Sequence, residues 1–354
     1  MNLLDLVPSH AAGVIAGWLR ERGEPAYRER QVLPRLWQRP VRSWDEATDL
    51  PAALREALDR ALPLSRPVER TRQVSRDGTV KFLWEFRDGA AVESVLIPEG
   101  RRRTLCISSQ EGCAYGCVFC ATGRMGFRRH LDPWEITAQV REMVLDPAIG
   151  KPSNVVFMGM GEPLHNWKAV DRALTILNEP RGLGIGARHI TVSTVGIVPA
   201  LRELAARPEQ FRVALSLHAA TAPQRLRLMP VERRYALPQV LEALRLFPKR
   251  VTFEYVMIEG VNDADGDAVA LADLARPLGA LVNLLPLHPG GAPGMRPATR
   301  ERIEQFADLL RDGGVSVTVR RSRGVDIAAA CGQLRTESEG QRRVPPEVHT
   351  DRQE

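Results

Sequence analysis

Three cysteines at short spacing dominate the chemistry that this sequence can support. Cys113, Cys117 and Cys120 stand in the segment EGCAYGCVFCATG as C-x3-C-x2-C. Three thiolates at this spacing can bind three irons of a cubic 4Fe–4S cluster. The fourth iron then has no protein ligand and is open to a small molecule.

An open cluster iron can chelate the amino and carboxylate groups of S-adenosylmethionine (SAM) and pass one electron to its sulfonium. The C–S bond then breaks and a 5′-deoxyadenosyl radical forms. A zinc site would need a fourth nearby Cys or His, and the spacing to His130 is poor. A structural cluster would normally have four protein ligands. The spacing therefore predicts a radical SAM enzyme.

Composition narrows the class of protein further. The chain has 354 residues, 44% of them hydrophobic, and five cysteines, four of which fall within fifteen residues. An odd, clustered set of cysteines points away from a disulfide-stapled secreted domain. No run approaches the ~18–20 apolar residues of a membrane helix, and the N-terminus reads as a folded helix rather than a targeting segment. We therefore expect a cytoplasmic protein without a membrane partner.

The elements that must position this chemistry follow an alternating pattern from about residue 103. The predicted strands cover residues 104–108, 154–159, 189–194, 212–218, 251–258, 281–287 and 315–320. Amphipathic helical runs separate them, which indicates parallel strands with right-handed crossovers. We predict an α/β fold: an open six-unit (βα) partial barrel of the radical SAM type with its chemistry at the carboxyl ends of the strands.

The predicted domains are three. Residues 1–90 form a small N-terminal helical and β accessory domain, with helices around 10–37 and 52–62 followed by short strands joined by Asp-Gly turns. Residues 91–335 form the catalytic barrel. Residues 336–354 are polar with two prolines, which favours a disordered tail.

Seven motifs in fixed order carry a family resemblance. They read LCISSQEGCAYGCVFCATG, VFMGMGEPLHN, ITVSTVGIVPAL, ALSLHA, RLMPVERRY, VTFEYVMIEGVND and RGVDIAAACGQL. From about Gly23 to Leu334 the chain resembles the radical SAM methyltransferases that act on C2 of adenine in 23S rRNA and in tRNA. The stretch GEPAYRERQVLPRLW is similar to the family's small RNA-binding domain.

The resemblance implies a set of SAM contacts. Gly161 and Glu162, in GMGEP, correspond to the turn that receives the SAM amino group. The residues that correspond to contacts with the SAM ribose and carboxylate are Ser193, Ser216, Leu217 and His218. His288 stands where relatives have an Asn that contacts SAM, and an imidazole cannot present the paired donor and acceptor of an amide.

The resemblance also implies a covalent route with two SAM molecules per turnover. Cys331 corresponds to the methyl carrier: one SAM methylates its thiolate, and a radical from a second SAM removes a hydrogen from the S-methyl group. The resulting carbon radical adds to adenine C2, which is too electron-poor to attack SAM directly. Glu93 matches the general base for the C2 proton, and Cys106 matches the thiol that releases the product through a transient Cys106–Cys331 disulfide.

Partners and rival functions follow from the same reading. The implied substrates are 23S rRNA and tRNA, and a flavodoxin or ferredoxin is the expected one-electron reductant of a monomeric enzyme. Arg101–Arg103 and the arginines near residue 320 are candidate phosphate contacts, in a chain of net charge +6. Two alternatives stay open: a methyltransferase of the antibiotic-resistance type that modifies C8, and a noncatalytic Fe–S RNA-binding protein. The second has no need of both Cys106 and Cys331.

Overall fold

Short helices begin the chain, and hydrogen bonds join this part to the helix at residues 133–145, from Trp134 N to Asp5 Oδ1 and from Arg141 to the carbonyl of Leu36. The computed structural model describes residues 2–288 and 294–334. The first helix buries Ala11, Ile15 and Leu19, whose spacing of four residues places them on one face. The helices of this part are α1 (Pro8–Arg20), α2 (Glu29–Val32) and α3 (Ala52–Ala61).

Twelve strands are found in the described residues, ten of them in one sheet. They are β1 (Val68–Val74), β2 (Val80–Glu85), β3 (Ala91–Glu99), β4 (Arg102–Cys106), β5 (Gln110–Gly112), β6 (Phe127–His130), β7 (Asn154–Phe157), β8 (Ile190–Thr194), β9 (Arg212–Ser216), β10 (Thr252–Met257), β11 (Leu281–Pro286) and β12 (Ser316–Val319). The large sheet has the order β1-β2-β3-β4-β7-β8-β9-β10-β11-β12, and β5 pairs with β6 alone.

The remaining helices cross over between the parallel strands. They are α4 (Ala121–Arg124), α5 (Pro133–Leu145), α6 (Trp167–Asn178), α7 (Val198–Ala205), α8 (Ala222–Leu228), α9 (Leu237–Leu244), α10 (Asp265–Ala275) and α11 (Arg300–Asp312). Every neighbouring pair from β4 to β12 in the large sheet is parallel. Six crossovers therefore join seven strands, and the predicted α/β partial barrel is confirmed. All seven predicted barrel strands are present, most of them one or two residues shorter.

The sheet does not stop where the domain boundary was predicted. Strands β1, β2 and β3 form an antiparallel meander, and β3 pairs with β4 of the barrel from Val95–Cys106 to Glu99–Arg102. The β part of the predicted 1–90 domain is thus an extension of the barrel sheet. The physical reason is that a buried strand such as β3 needs a hydrogen-bonded neighbour on both sides.

Three other expectations can be placed against the fold. The predicted helix around 10–37 is divided, since the chain turns at Gly23 with a φ of +70°. The hairpin β5–β6, which frames the cysteine motif, was not predicted. The predicted tail, residues 336–354, lies outside the described residues. Among residues 2–288 and 294–334, no helix has the length and apolar character to cross a membrane.

Candidate active site

One cavity lies at the carboxyl ends of the parallel strands. It holds about 1060 Å³ of space between protein atoms, part of it open to solvent. Most of the predicted site residues line it: Cys113, Cys117, Cys120, Gly161, Glu162, Ser193, Ser216, His218, His288 and Cys331. Glu93, Cys106 and Leu217 do not, so the structure brings ten of the thirteen predicted residues together directly.

The cysteine motif forms an irregular segment, residues 113–120, which we call the cluster loop. Backbone hydrogen bonds fix it at both ends: Cys113 N donates to Gly126 O at 3.0 Å, and Val118 N donates to Leu228 O at 3.1 Å. The hairpin β5–β6 and the end of α8 therefore hold the loop in place. Cys117 is buried, while Cys113 and Cys120 are half-buried.

The three thiols of the cluster loop lie in surroundings that oppose free thiolates. Burial, and then the nearby thiols of Cys120 and Cys113, raises the pKa of Cys117, and burial raises that of Cys113 to about 12. Thiols in such surroundings ionise readily only when a metal neutralises the thiolate. Three thiolates at C-x3-C-x2-C spacing would hold three irons of a 4Fe–4S cluster.

The glycine turn after β7 approaches the cluster side of the cavity closely. Gly161 has a φ of +97°, and a Cβ there would lie 2.5 Å from Cβ of Gln110. Only glycine fits this position. The Gln110 side chain also accepts a hydrogen bond from Glu162 N at 2.7 Å, and its amide group donates to Nδ1 of both His130 and His165. Gln110 therefore organises the turn, a role that sequence reasoning missed.

Glu162 is buried and already has hydrogen-bond partners in the protein. Its carboxylate accepts from Thr194 Oγ1 at 2.6 Å, Val195 N at 2.9 Å and Leu164 N at 3.0 Å. Burial raises the pKa of Glu162 to about 7, against the lowering effect of these three donors. The carboxyl group thus ties the glycine turn to the end of β8 and still faces the cavity. An ammonium group beside it would stabilise its charged form.

His218 is held as a neutral imidazole of defined tautomer. Val256 N donates to His218 Nδ1 at 3.0 Å, so the proton of the neutral ring resides on Nε2. Burial, together with the charge of Arg225, lowers the pKa of His218 to about 3. The ring packs edge-on against Phe119 of the cluster loop at 4.6 Å between centroids. His218 therefore presents a hydrogen-bond donor beside the cluster at any physiological pH.

The other predicted SAM contacts differ in how they face the cavity. Ser193 and Ser216, at the ends of β8 and β9, lie with their hydroxyl oxygens 3.4 Å apart. His288 is buried, which lowers its pKa, and its Nε2 lies 3.5 Å from Ser322 Oγ. Leu217 is fully buried in the core, and its backbone N donates to Glu254 O at 3.1 Å. Only the backbone of Leu217 is near the site.

Cys331 lies in the segment 324–334, which we call the carrier loop. Its side chain is exposed to the cavity rather than packed in the core. The surrounding protein atoms of the cavity walls nevertheless desolvate the thiol and raise its pKa. Burial and the neighbouring Cys331 both raise the pKa of Cys106, which is buried on β4. Cys331 is thus close enough to affect the ionisation of Cys106, although 224 residues lie between them in sequence.

Glu93 lies on β3, one strand from Cys106. The pairing Val95–Cys106 places Glu93 two residues along the same face, and its carbonyl accepts from Ser108 Oγ at 2.6 Å. Lys81 Nζ of β2 contacts Glu93 Oε1 at 2.9 Å, and both side chains are largely buried. The ion pair was not predicted, because β2 and β3 had been assigned to different domains.

The predicted phosphate-binding arginines are not equivalent. Arg103 donates to the carbonyl groups of Ile149 and Lys151, the latter at 2.8 Å, so it stabilises the loop after α5. Arg101 and Arg102 are exposed. Arg320 is exposed too and is close enough to Cys331 to lower the pKa of that thiol. Of these groups, Arg320 is therefore the one whose charge affects the Cys331 thiol.

One further carboxylate, that of Glu254, reaches the cavity without having been predicted. Glu254 of β10 is buried, which raises its pKa, and accepts a hydrogen bond from Asn283 Nδ2 of β11 at 3.0 Å. Its charge also raises the pKa of Cys331. A carboxylate in a strand of mostly apolar residues was the signal for this position. The motif VTFEYVMI contains it.

Comparison with known proteins agrees with this geometry. Residues 107–272 match the family model of the radical SAM superfamily. The chain is 58% identical over 345 residues to the "probable dual-specificity RNA methyltransferase RlmN" of Gemmatimonas aurantiaca, covering 97% of this chain and 95% of that protein. It is 46% identical over 347 residues to the dual-specificity RNA methyltransferase RlmN of Anaeromyxobacter dehalogenans, covering 95% of this chain and 92% of that protein.

A solved structure extends the likeness to three dimensions. The radical SAM methyltransferase of Sphaerobacter thermophilus superimposes with a TM-score of 0.89 at 43% sequence identity. The match covers 95% of this chain and 100% of that one. Enzymes of this superfamily use a 4Fe–4S cluster and SAM, which the donor set of the cavity fits. The chain therefore belongs to the dual-specificity RNA methyltransferase family of radical SAM enzymes.

Proposed function

We propose that this RNA methyltransferase modifies C2 of adenine, at the peptidyl-transferase centre of 23S rRNA and beside the anticodon of tRNA. The observation that carries the proposal is the arrangement of three kinds of sulfur at and beside one cavity. The cluster-loop thiols and Cys331 line the cavity, and Cys106 is buried on β4, near enough for Cys331 to raise the pKa of its thiol. A carrier thiol between a radical source and a second thiol is what transfer through S-methylcysteine requires.

The first role belongs to the cluster loop and the strand ends around it. Cys113, Cys117 and Cys120 would hold the cluster, and Glu162 and His218 would orient SAM with a carboxylate and an Nε2–H donor. When bound, the cluster and SAM supply an organic radical that can remove a hydrogen atom from a methyl group. The apolar walls of the cavity keep water away from that chemistry.

The second role belongs to Cys331, Glu93 and Cys106. The sulfur of Cys331 accepts a methyl group from one SAM. After loss of one hydrogen atom, the carbon of that group bonds to adenine C2, and the adduct radical gives up one electron, which a bound, oxidised cluster would take up. Glu93 takes the proton from C2. Cys106 then attacks the sulfur of Cys331; the electron pair of the sulfur–carbon bond passes to the transferred carbon, which gains a proton as the new methyl group. A Cys106–Cys331 disulfide remains.

Several finer points are part of this proposal. The disulfide must be reduced after each turnover, and the cluster needs one electron to begin, which suits a flavodoxin or ferredoxin as partner. The enzyme acts as a monomer in the cytoplasm. The adenine must leave its stack to reach a cavity of this depth, as in other enzymes that act on bases.

The test is a reaction with defined products. The enzyme is reconstituted with iron and sulfide without oxygen, then incubated with SAM, a reductant and unmodified 23S rRNA or tRNA. Nucleosides from the digested RNA are compared by mass spectrometry with 2-methyladenosine and 8-methyladenosine. A 2-methyladenosine peak that Cys331→Ala abolishes supports the proposal. An 8-methyladenosine peak would overturn the C2 assignment, and a peak that survives in the variant would overturn the carrier role.

A further inference from the structure

The turn between β1 and β2 touches the loop that bears Cys331, although about 250 residues separate them. Ser75 Oγ donates to Asp326 Oδ1 at 2.6 Å, and Arg76 N donates to the second oxygen, Oδ2, at 3.2 Å. Both oxygens of one carboxylate are thus bound by the turn. Asp326 is otherwise an exposed residue of a short helical turn that begins at Val325.

A second carboxylate makes the contact reciprocal. Asp77 of the same turn accepts from Gly324 N at 3.0 Å through Oδ2 and from Thr79 N at 2.9 Å through Oδ1. Burial raises the pKa of Asp77, but hydrogen bonds from Thr79 and Gly324 outweigh it and lower the pKa to about 2. The hydrogen bond from Ser75 likewise lowers the pKa of Asp326. Both groups are therefore charged near neutral pH.

Close packing accompanies these hydrogen bonds. Gly324 has a φ of +63°, and a Cβ there would lie 2.9 Å from Thr79 Cγ2 and 2.8 Å from Ala329 Cβ. The turn and the carrier loop therefore meet at a distance that only glycine allows. Next to this contact, Lys81 Nζ lies 3.4 Å from the carbonyl oxygen of Ala328.

The far end of the carrier loop is fixed to the cluster loop's own helix. Ala121 N donates to Gly332 O at 2.7 Å, and Thr122 Oγ1 donates to Leu334 O at 2.6 Å. Cys331 lies between these bonds and the contact with the β1–β2 turn. Its position over the cavity is thus set by two attachments, one to the barrel and one to the accessory strands.

We propose that Ser75, Asp77 and Asp326 are positioning residues that hold the carrier loop, so that the accessory hairpin determines where Cys331 stands. We call this contact, residues 75–79 with residues 324–328, the clasp. The proposal rests on the carrier role of Cys331 given above. It adds the residues that control where Cys331 stands. A carrier sulfur must meet SAM, adenine and Cys106 in turn, and a loop attached at both ends limits its excursions to that cavity.

The clasp also connects the methyl carrier with the strands that precede the barrel. A displacement of the β1–β2 hairpin, such as one caused by bound RNA, would therefore move Cys331 through the clasp, without any contact inside the cavity. The two carboxylates lie at the protein surface, so replacing either one removes hydrogen bonds but opens no cavity in the core. Variants of the clasp should therefore fold.

The experiment measures the carrier loop in the full-length, cluster-loaded enzyme without RNA. Mass spectrometry follows hydrogen exchange in peptides covering residues 324–334. The wild type is compared with three single variants: Asp326→Ala, Ser75→Ala and Ser75→Thr. We expect exchange to rise by about tenfold in Asp326→Ala, by less in Ser75→Ala, and to return in Ser75→Thr, which keeps the hydroxyl. Alkylation of Cys331 by iodoacetamide, in a Cys106→Ala background, should accelerate in parallel.

A matched control comes from the neighbouring hairpin. Asp88 in the β2–β3 turn also accepts a backbone hydrogen bond, from Ala90 N at 3.1 Å, but contacts Arg129 rather than the carrier loop. Asp88→Ala should leave exchange of residues 324–334 unchanged. Equal exchange in wild type and Asp326→Ala would overturn the clasp. No RNA is present in this experiment, so its result does not depend on methylation. The proposed function is tested separately, by the loss of methylation in Cys331→Ala.

Discussion

Two loops bring sulfur to the same cavity, and they are built in different ways. The cluster loop carries three cysteines within eight residues and is held by neighbours that directly follow it or belong to the barrel. The carrier loop carries one cysteine and depends on Asp77 and Ser75, which lie about 250 residues away. The difference indicates that local sequence spacing determines the position of the cluster thiols, whereas tertiary contacts determine the position of the Cys331 thiol.

The largest expected effect is on activity, and the absorbance of the cluster distinguishes a variant of one loop from a variant of the other. Cys117→Ala should lose the visible absorbance of the reconstituted cluster, and Cys331→Ala should keep it. Both should lower the yield of methylated adenosine by at least about 1000-fold, since each removes an essential covalent or metal-bound group. Absorbance spectra of the two variants, read beside nucleoside analysis, make the comparison. Loss of absorbance in Cys331→Ala would mean that the two loops are not independent.

The next effect concerns the release of the product. Cys106→Ala should still form the bond between Cys331 and adenine but lacks the thiol that breaks it, so turnover should fall by about 100-fold. A covalent complex of protein and RNA should accumulate and appear as a slower band in a denaturing gel. Cys106→Ala combined with Cys331→Ala should show no such band. A normal rate without a covalent complex would refute the role of Cys106.

A moderate effect is expected from the carboxyl group on the cluster side. Because the pKa of Glu162 is about 7 in the free protein and hydrogen bonds from the amino group of bound SAM favour the carboxylate, SAM binding should release protons. Affinity for SAM should be about fivefold weaker at pH 6 than at pH 7. Titration calorimetry in buffers of different ionisation enthalpy measures both quantities. Glu162→Gln should flatten the pH profile, and a flat profile in the wild type would contradict the assignment.

The smallest effect is expected at His288, on the side of the cavity near the carrier loop. Burial keeps this imidazole neutral, so it offers SAM at most one donor and one acceptor on opposite sides of a ring. His288→Asn, which restores the residue usual in relatives, should strengthen SAM binding about two- to fivefold, and His288→Ala should weaken it by a similar factor. Equal affinity in all three proteins would show that His288 makes no contact with SAM.

The sequence was most informative where function depends on local spacing. The C-x3-C-x2-C motif predicted three cluster ligands, which the structure places along one cavity. The alternation of strands and helices predicted the barrel, because parallel strands and their crossovers leave a repeating pattern of buried residues. The resemblance in seven motifs added Cys331, Cys106 and Glu93, which no local pattern singles out. Their proximity follows only from the pairing of β3 with β4 and from the course of the carrier loop.

The rest could not be predicted, for reasons that particular residues show. Gln110 resembles any polar strand residue until Gly161 is seen against its side chain. Lys81 resembles an exposed lysine of a hairpin until its strand is found to extend the barrel sheet. Asp77 has the sequence of an ordinary Asp-Gly turn, and its partner Gly324 comes from the other end of the chain. Contacts across such separations have no signal in a single sequence.

The continuous ten-stranded sheet limits how this enzyme can be divided or recombined. Glu93 and Cys106 stand on adjacent strands on either side of an apparent border between modules, so their spacing is part of one hydrogen-bonded ladder. A chain cut at residue 91 would leave β3 as an open edge, prone to pair with another molecule. The accessory strands are therefore not an exchangeable cassette, because removing them takes away the hydrogen-bonded neighbour of β3.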